Sequence, residues 1–103
     1  MQETLYNIAF ERSVLSSIIF DPEQFDELST ILKKEDFYLP AHQDIFYAMT
    51  LLMQKDQPID EEFLKKELMA LKKFDENVML EILSVSPISN TKAYVEEIKD
   101  KAL

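Results

Sequence analysis

Apolar residues recur along this chain at spacings of three and four, the period of helices that bury one side. From Ile8 to Phe20, a stripe of Ile8, Leu15 and Ile19 is flanked by Val14 and Ile18, and Asn7 stands where a cap is needed. Asp21-Pro22 ends this helix and opens a second through Phe25, Leu28, Ile31 and Leu32, with Asp21 as the expected cap and Pro22 in the first turn. Glu35 to Leu39 reads as a linker or single turn. A third helix spans roughly Pro40 to Lys55, where Ile45, Phe46, Met49, Leu52 and Met53, joined by Phe37 from the turn, share one side. A turn at Asp56–Pro58 closes it, and Asp60 caps a fourth helix with Phe63, Leu64, Leu68 and Leu71 on its apolar face. Asp75 caps a fifth, Glu76 to Ser84, lined by Val78, Met79, Ile82, Leu83 and Val85. After the loop Ser84 to Asn90, a sixth helix starts at Ser89 or Asn90 and runs to Leu103 with a stripe of Tyr94, Val95, Ile98 and Ala102.

Apolar and polar residues never alternate over a useful length, so no strand is expected. The pattern predicts an all-α fold: a compact six-helix domain with a globular head over about residues 1–74 and a C-terminal antiparallel helical hairpin over about 75–103. The stretch Asp36 to Asp60 carries the densest large apolar groups and is the expected centre of the core. A hairpin at the edge of a small bundle cannot bury both its sides. Its spare apolar groups, among Met79, Leu83, Tyr94, Ile98 and Ala102, are the candidate interface. No stop signal precedes Leu103, so the last helix is expected to continue in a longer chain.

Composition narrows the function. The 103 residues contain no glycine, where about seven per hundred is usual. Phosphate-cradling loops, calcium loops and nucleophile elbows all lose their turn residue without it. Cysteine is absent too, which excludes disulfides and thiolate metal sites and fits a reducing compartment. The N-terminus lacks the basic start and apolar run of a signal peptide, and no run reaches the length of a membrane span, so a soluble cytoplasmic protein is expected. The formal net charge is −9, with nine acidic against three basic side chains over residues 1–52. Such a domain is repelled by nucleic-acid phosphates and anionic lipid, so neither DNA nor membrane is an expected partner; a basic protein is one reading of the acidity, and solubility alone is the other.

Candidate chemistry meets structural alternatives at each place. His42, the sole histidine, has Asp36 and Asp44 near it in sequence but nothing to complete a catalytic site, and packing at the start of the third helix explains it better. Asp21, Glu23, Asp26 and Glu27 suggest a hard-metal site, yet they fall at a helix start, where the dipole favours carboxylates. Lys65, Lys66, Lys72 and Lys73 read as a solvated face, with Lys65 and Lys66 four residues after Glu61 and Glu62, and less well as a phosphate stripe. Ser16-Ser17 lies inside an amphipathic helix, where it permits close packing or faces water. No catalytic, cofactor or metal residue is assigned.

The order Asp36-Phe37-Tyr38, His42, Ile45-Phe46, Ala48 and Pro58-Ile59-Asp60 resembles the N-terminal domain of the bacterial replicative DNA helicase, the DnaB family. Glu11, Val14-Leu15 and Ile18-Ile19 before it, and Asn90, Tyr94 and Ile98 after it, follow the same family pattern. Ser16 stands where the family often has glycine, Gln43 where it often has arginine, and Asp56-Gln57 fill a turn that often holds glycine. The resemblance implies a head plus hairpin that self-associates as dimers within a hexameric ring, docks primase, and is linked to an ATPase motor using ATP and Mg; a loader protein is a further partner. The motor is not in this sequence, and without glycine no Walker A loop exists. Two alternatives stay open at this point: the helicase-binding domain of primase, whose fold is similar, and an unrelated acidic all-α adaptor.

Overall fold

The computed structural model describes residues 2–101. Six α-helices follow in order: α1 (Gln2–Phe20), α2 (Gln24–Leu28), α3 (Pro40–Gln54), α4 (Glu61–Ala70), α5 (Glu76–Leu83) and α6 (Thr91–Lys101). A single 3-10 turn, Lys34–Asp36, leads into α3. No strand occurs among the described residues. Several boundaries fall where the capping chemistry puts them. Pro40 occupies the first turn of α3. Asp60 accepts a hydrogen bond from the Phe63 amide, and Asp75 accepts from the Asn77 and Val78 amides. Asn90 accepts from the Ala93 amide at the start of α6.

Two boundaries differ from expectation. Helix α1 begins at Gln2, so Asn7 lies inside it and caps nothing. Helix α2 stops at Leu28 instead of running to Leu32, and Glu23, not Asp21, stands at its cap position, with no side-chain cap bond. The Ser29 and Thr30 hydroxyls fold back onto the Asp26 and Glu27 carbonyls, local bonds that compete with helix continuation. The chain goes on in turns that still bury Leu32 while Ile31 is left exposed.

The core is built around α1 as much as around α3. Val14, Leu15, Ser16, Ser17 and Ile18 are consecutive and all buried. Five consecutive residues cover every side of a helix, so this part of α1 lies inside the bundle, not at its surface. Helix α3 packs on one side of α1, while α5 and α6 cover others. The Arg12–Glu81 and Ser16–Val85 contacts run α5 parallel to α1, and the Phe10–Tyr94 and Ser17–Ile88 contacts run α6 antiparallel to it. The two hairpin helices pack on α1 more closely than on each other. Met79, Ile82, Val95 and Ile98 therefore join Leu15, Phe46 and Leu64 in one continuous core.

From the other side come Phe25 and Phe37, each with its ring centroid 5.2 Å from that of Phe46. Phe37, Ile45, Phe46, Met49 and Leu52 are buried as their spacing predicts; Met53, grouped with them by spacing, points outward at the end of α3. Beyond it, Lys55 spans to α4, placing its ammonium 2.9 Å from both oxygens of the largely buried Glu67.

Without glycine, the chain must place side-chain-bearing residues in left-handed turns. Asp56 (φ 57°) and Lys72 (φ 60°) follow the ends of α3 and α4. The Gln57 amide reaches back to the Leu52 carbonyl, and the Lys73 amide to the Leu68 carbonyl, the paired-bond termination that usually takes glycine. Lysine has no local bond to offset its steric penalty there, whereas aspartate tolerates this region better. Lys72→Gly is therefore expected to stabilise the domain by roughly 0.5–1 kcal/mol and to raise Tm by a few degrees, with a smaller gain for Asp56→Gly. Thermal melts of the two variants check both the sign and the order.

Candidate interaction surfaces

Most of the residues that carry the sequence signature are buried or held by hydrogen bonds, while Tyr38 and Pro58 are exposed. Glu11 of α1 and His42 of α3 are each 1% exposed, and His42 Nδ1 lies 2.8 Å from Glu11 Oε1. The same carboxylate accepts the Tyr38 and Leu39 backbone amides, so it acts as an acceptor throughout and the imidazole Nδ1 is the donor. Gln43 donates to the Phe37 carbonyl at 2.7 Å. Asp36 accepts from the Lys33 amide at 2.8 Å and from Lys99 Nζ of α6 at 3.1 Å. Phe37, Ile45 and Phe46 fill the core, Ile59 is buried between the exposed Pro58 and Asp60, and Asp60 caps α4. Glu11, Asp36 and His42 thus mark one junction, where α1, the turn before α3, α3 itself and α6 are fastened together.

His42 takes its partner from 31 residues away, not from Asp36 or Asp44. The available signal was Glu11 itself, a lone acid on the inner side of an apolar helix in a chain with one histidine. The imidazole itself is almost entirely buried. Ser16 and Ser17 are buried, not turned to water. Ser16 Oγ donates to the Val85 carbonyl at 3.0 Å, and Ser17 Oγ accepts the Ile88 amide at 3.1 Å, which holds the α5–α6 loop against α1.

The hairpin candidates divide. Met79 and Ile98 are 4% and 2% exposed, so they are not spare apolar groups: α1 covers the side of the hairpin that carries them. Leu83 and Tyr94 are half-buried, and Tyr94 meets Phe10 edge-on at 5.2 Å. Ala102 lies outside the described residues. The outward apolar group of α5 is Leu80, 58% exposed, which the spacing argument passed over. Its signal was present: Val78, Met79, Leu80, Ile82 and Leu83 are too many apolar residues for one side of a two-turn helix.

Other exposed apolar side chains are Phe20, Met69 and Tyr38. Asp21, Glu23, Asp26 and Glu27 are all exposed, and Glu27 pairs with Lys92 at 3.3 Å. Lys65, Lys66, Lys72 and Lys73 are exposed as expected, but among the described residues neither Glu61–Lys65 nor Glu62–Lys66 closes to an ion pair. Lys65 Nζ instead lies 5.5 Å from the Phe74 ring centre.

A family model described as the DnaB-like helicase N terminal domain matches residues 3–100. The chain is 37% identical over 101 residues to the replicative DNA helicase DnaB of Helicobacter pylori (strain J99 / ATCC 700824), covering 98% of this chain and 20% of that protein. It is 31% identical over 102 residues to the replicative DNA helicase DnaB of Geobacillus stearothermophilus, covering 94% and 22%. It thus spans about a fifth of the length of these curated relatives. Among solved structures, the N-terminal domain of the Helicobacter pylori DnaB helicase, described together with its interactions with primase, superposes with a TM-score of 0.92 at 34% identity over 98% of this chain and 82% of that one. The N-terminal domain of the Mycobacterium tuberculosis DnaB helicase gives 0.80 at 25% identity, over 91% and 71%.

The geometry separates scaffold from surface in a way that substitution checks. His42→Ala leaves a buried carboxylate without its partner and is expected to destabilise by about 3 kcal/mol, lowering Tm by more than about 10 °C. Ile82→Ala is expected to destabilise by about 2–5 kcal/mol, whereas Leu80→Ala, two residues away in the same helix, stays within about 0.5 kcal/mol. Denaturant unfolding of the three variants reads the contrast.

Proposed function

The chain belongs to the DnaB-like helicase N-terminal domain family, and from that membership we infer that it is the oligomerisation and primase-docking domain of a replicative DNA helicase. The observation that carries the reading is the match, across 98% of the chain, to a helicase N-terminal domain described with its interactions with primase. The relatives named above are helicases, which favours this reading over a domain of primase itself.

The mechanism is association. Leu80, exposed on α5, supplies the apolar contact between subunits, with the half-buried Leu83 and Tyr94 as further contributors. Dimers formed this way build into a hexameric ring. The acidic surface, with a net charge of −9, steers a basic partner toward it and away from direct contact with DNA. In the parent protein an ATPase motor with ATP and Mg would unwind DNA; this domain contributes assembly and docking, without a nucleotide site of its own. A helicase loader is a second partner, and the cytoplasm is the compartment. Among the described residues, no helix is long and apolar enough to cross a membrane.

A calorimetric titration of this domain with the C-terminal domain of primase from the same organism tests docking, with light scattering to fix the stoichiometry. Saturable binding by a self-associated domain is expected, and Leu80→Asp is expected to shift the domain to monomer without lowering Tm. A well-folded dimer that takes up no primase would sink the docking half of the reading.

A further inference from the structure

A cleft of about 350 Å³ lies between α3 and the turns that follow α2, and no residue of the α5–α6 hairpin lines it. Its lining is mostly apolar. Leu32 and Phe46 are buried at its base, and Tyr47 and Met53, 38% and 36% exposed, stand beside them. Two hydroxyl side chains, Ser29 and Thr50, also line it, and both already donate to backbone carbonyls, of Asp26 and of Phe46, each at 3.1 Å. The strongest polar groups left for recognition are therefore the charges on the rim.

That rim is Lys33, Lys34 and Glu35. Both lysines are exposed, and among the described residues neither is in an ion pair. Lys34 Nζ lies 4.7 Å from the centre of the Tyr47 ring, which holds one ammonium over the apolar surface. The turn that carries both lysines is fixed in place: the Lys33 amide donates to the Asp36 carboxylate at 2.8 Å, and Lys99 of α6 holds that carboxylate from the other side. Among the described residues, Glu35 is the one carboxylate that lines the cleft, and it also lines a separate pocket with Asn7 and Tyr38. Beyond Met53 the surface changes sign, since Met53 borders a second pocket lined by Glu23, Asp26 and Asp56. In a chain of net charge −9, the Lys33–Lys34 end of the cleft is a local reversal of charge beside an apolar recess.

We propose that this cleft docks a short segment of another protein in which a large apolar side chain is flanked by carboxylates. The apolar side chain fills the recess between Leu32, Phe46, Tyr47 and Met53, and the carboxylates meet Lys33 and Lys34 in charge-assisted hydrogen bonds. Charge selects the occupant. A basic segment meets like charge at this end of the cleft, and a nucleic-acid strand, although it has the right sign, is turned away by the acidic surface that begins at Met53. The site is separate from the hairpin surface around Leu80, and it stands whether or not the domain self-associates or docks primase.

The test titrates the whole chain with three end-capped synthetic peptides while its amide and methionine methyl NMR signals are followed. The first peptide sets one phenylalanine among aspartates, the second replaces the aspartates with lysines, and the third replaces the phenylalanine with serine. The first is expected to saturate, to move the signals of Lys34, Tyr47, Thr50 and Met53 together, and to weaken as salt is raised. The other two are expected to bind at least about tenfold more weakly. A variant carrying both Lys33→Glu and Lys34→Glu is expected to melt within a few degrees of the original chain, since both side chains are exposed, and to reverse the preference, taking the lysine peptide over the aspartate one. If the aspartate peptide moves none of these signals, or if the charge-reversed variant keeps the original preference, the proposal is wrong. An oligothymidylate strand that moves the same signals more strongly than the aspartate peptide also overturns it.

Discussion

The hydrogen-bonded pair of Glu11 and His42 is the constraint that fixes the rest of this domain. A buried carboxylate is tolerated only where its acceptors are filled, and here an imidazole and two backbone amides fill them. Those donors come from α3 and from the turn before it, so satisfying one side chain of α1 positions a second element to within a hydrogen-bond length. The turn then hands the constraint on. Asp36, just before the amides that Glu11 holds, binds Lys99 and brings in α6. Apolar packing alone would allow α1 to slide or rotate against its neighbours; directional bonds from a single buried acid specify one register.

A second consequence concerns the hairpin. Because α5 and α6 lie against α1, their most apolar residues are used up inside the chain, and the surface left over is sparse and mixed in character. Leu80, Phe20 and Met69 are separate, each surrounded by charge or by half-buried neighbours.

Much of the architecture was legible in the sequence because it rests on local chemistry. Asp60, Asp75 and Asn90 act as caps through bonds made within three residues, and Pro40 starts α3 through a fixed dihedral angle. The misses about burial share one physical source: burial is set by neighbours distant in sequence. The stripe drawn on α1 omitted Glu11 and Ser17 because periodicity scores them as polar, while the fold buries them with partners from α3 and the α5–α6 loop. Met79 and Ile98 looked spare because the spacing could not reveal that α1 would cover them. Leu80 was overlooked for the converse reason, an apolar residue on the side that nothing covers. The family signature marked the junction without explaining it, since the acid that gives His42 its role lies in another helix.

The absence of glycine acts on the chain before it folds as well as after. Every residue has a side chain that restricts its backbone, so the unfolded ensemble is narrower than that of a chain of ordinary composition, and less conformational freedom is surrendered on folding. Asp56 and Lys72 sit in unfavourable dihedral angles in the native state, yet the same substitutions that strain those two turns stiffen the denatured chain. For a domain of 103 residues, whose core is necessarily limited, part of its stability therefore resides in conformations it does not visit when unfolded, and no inventory of native contacts would register that part.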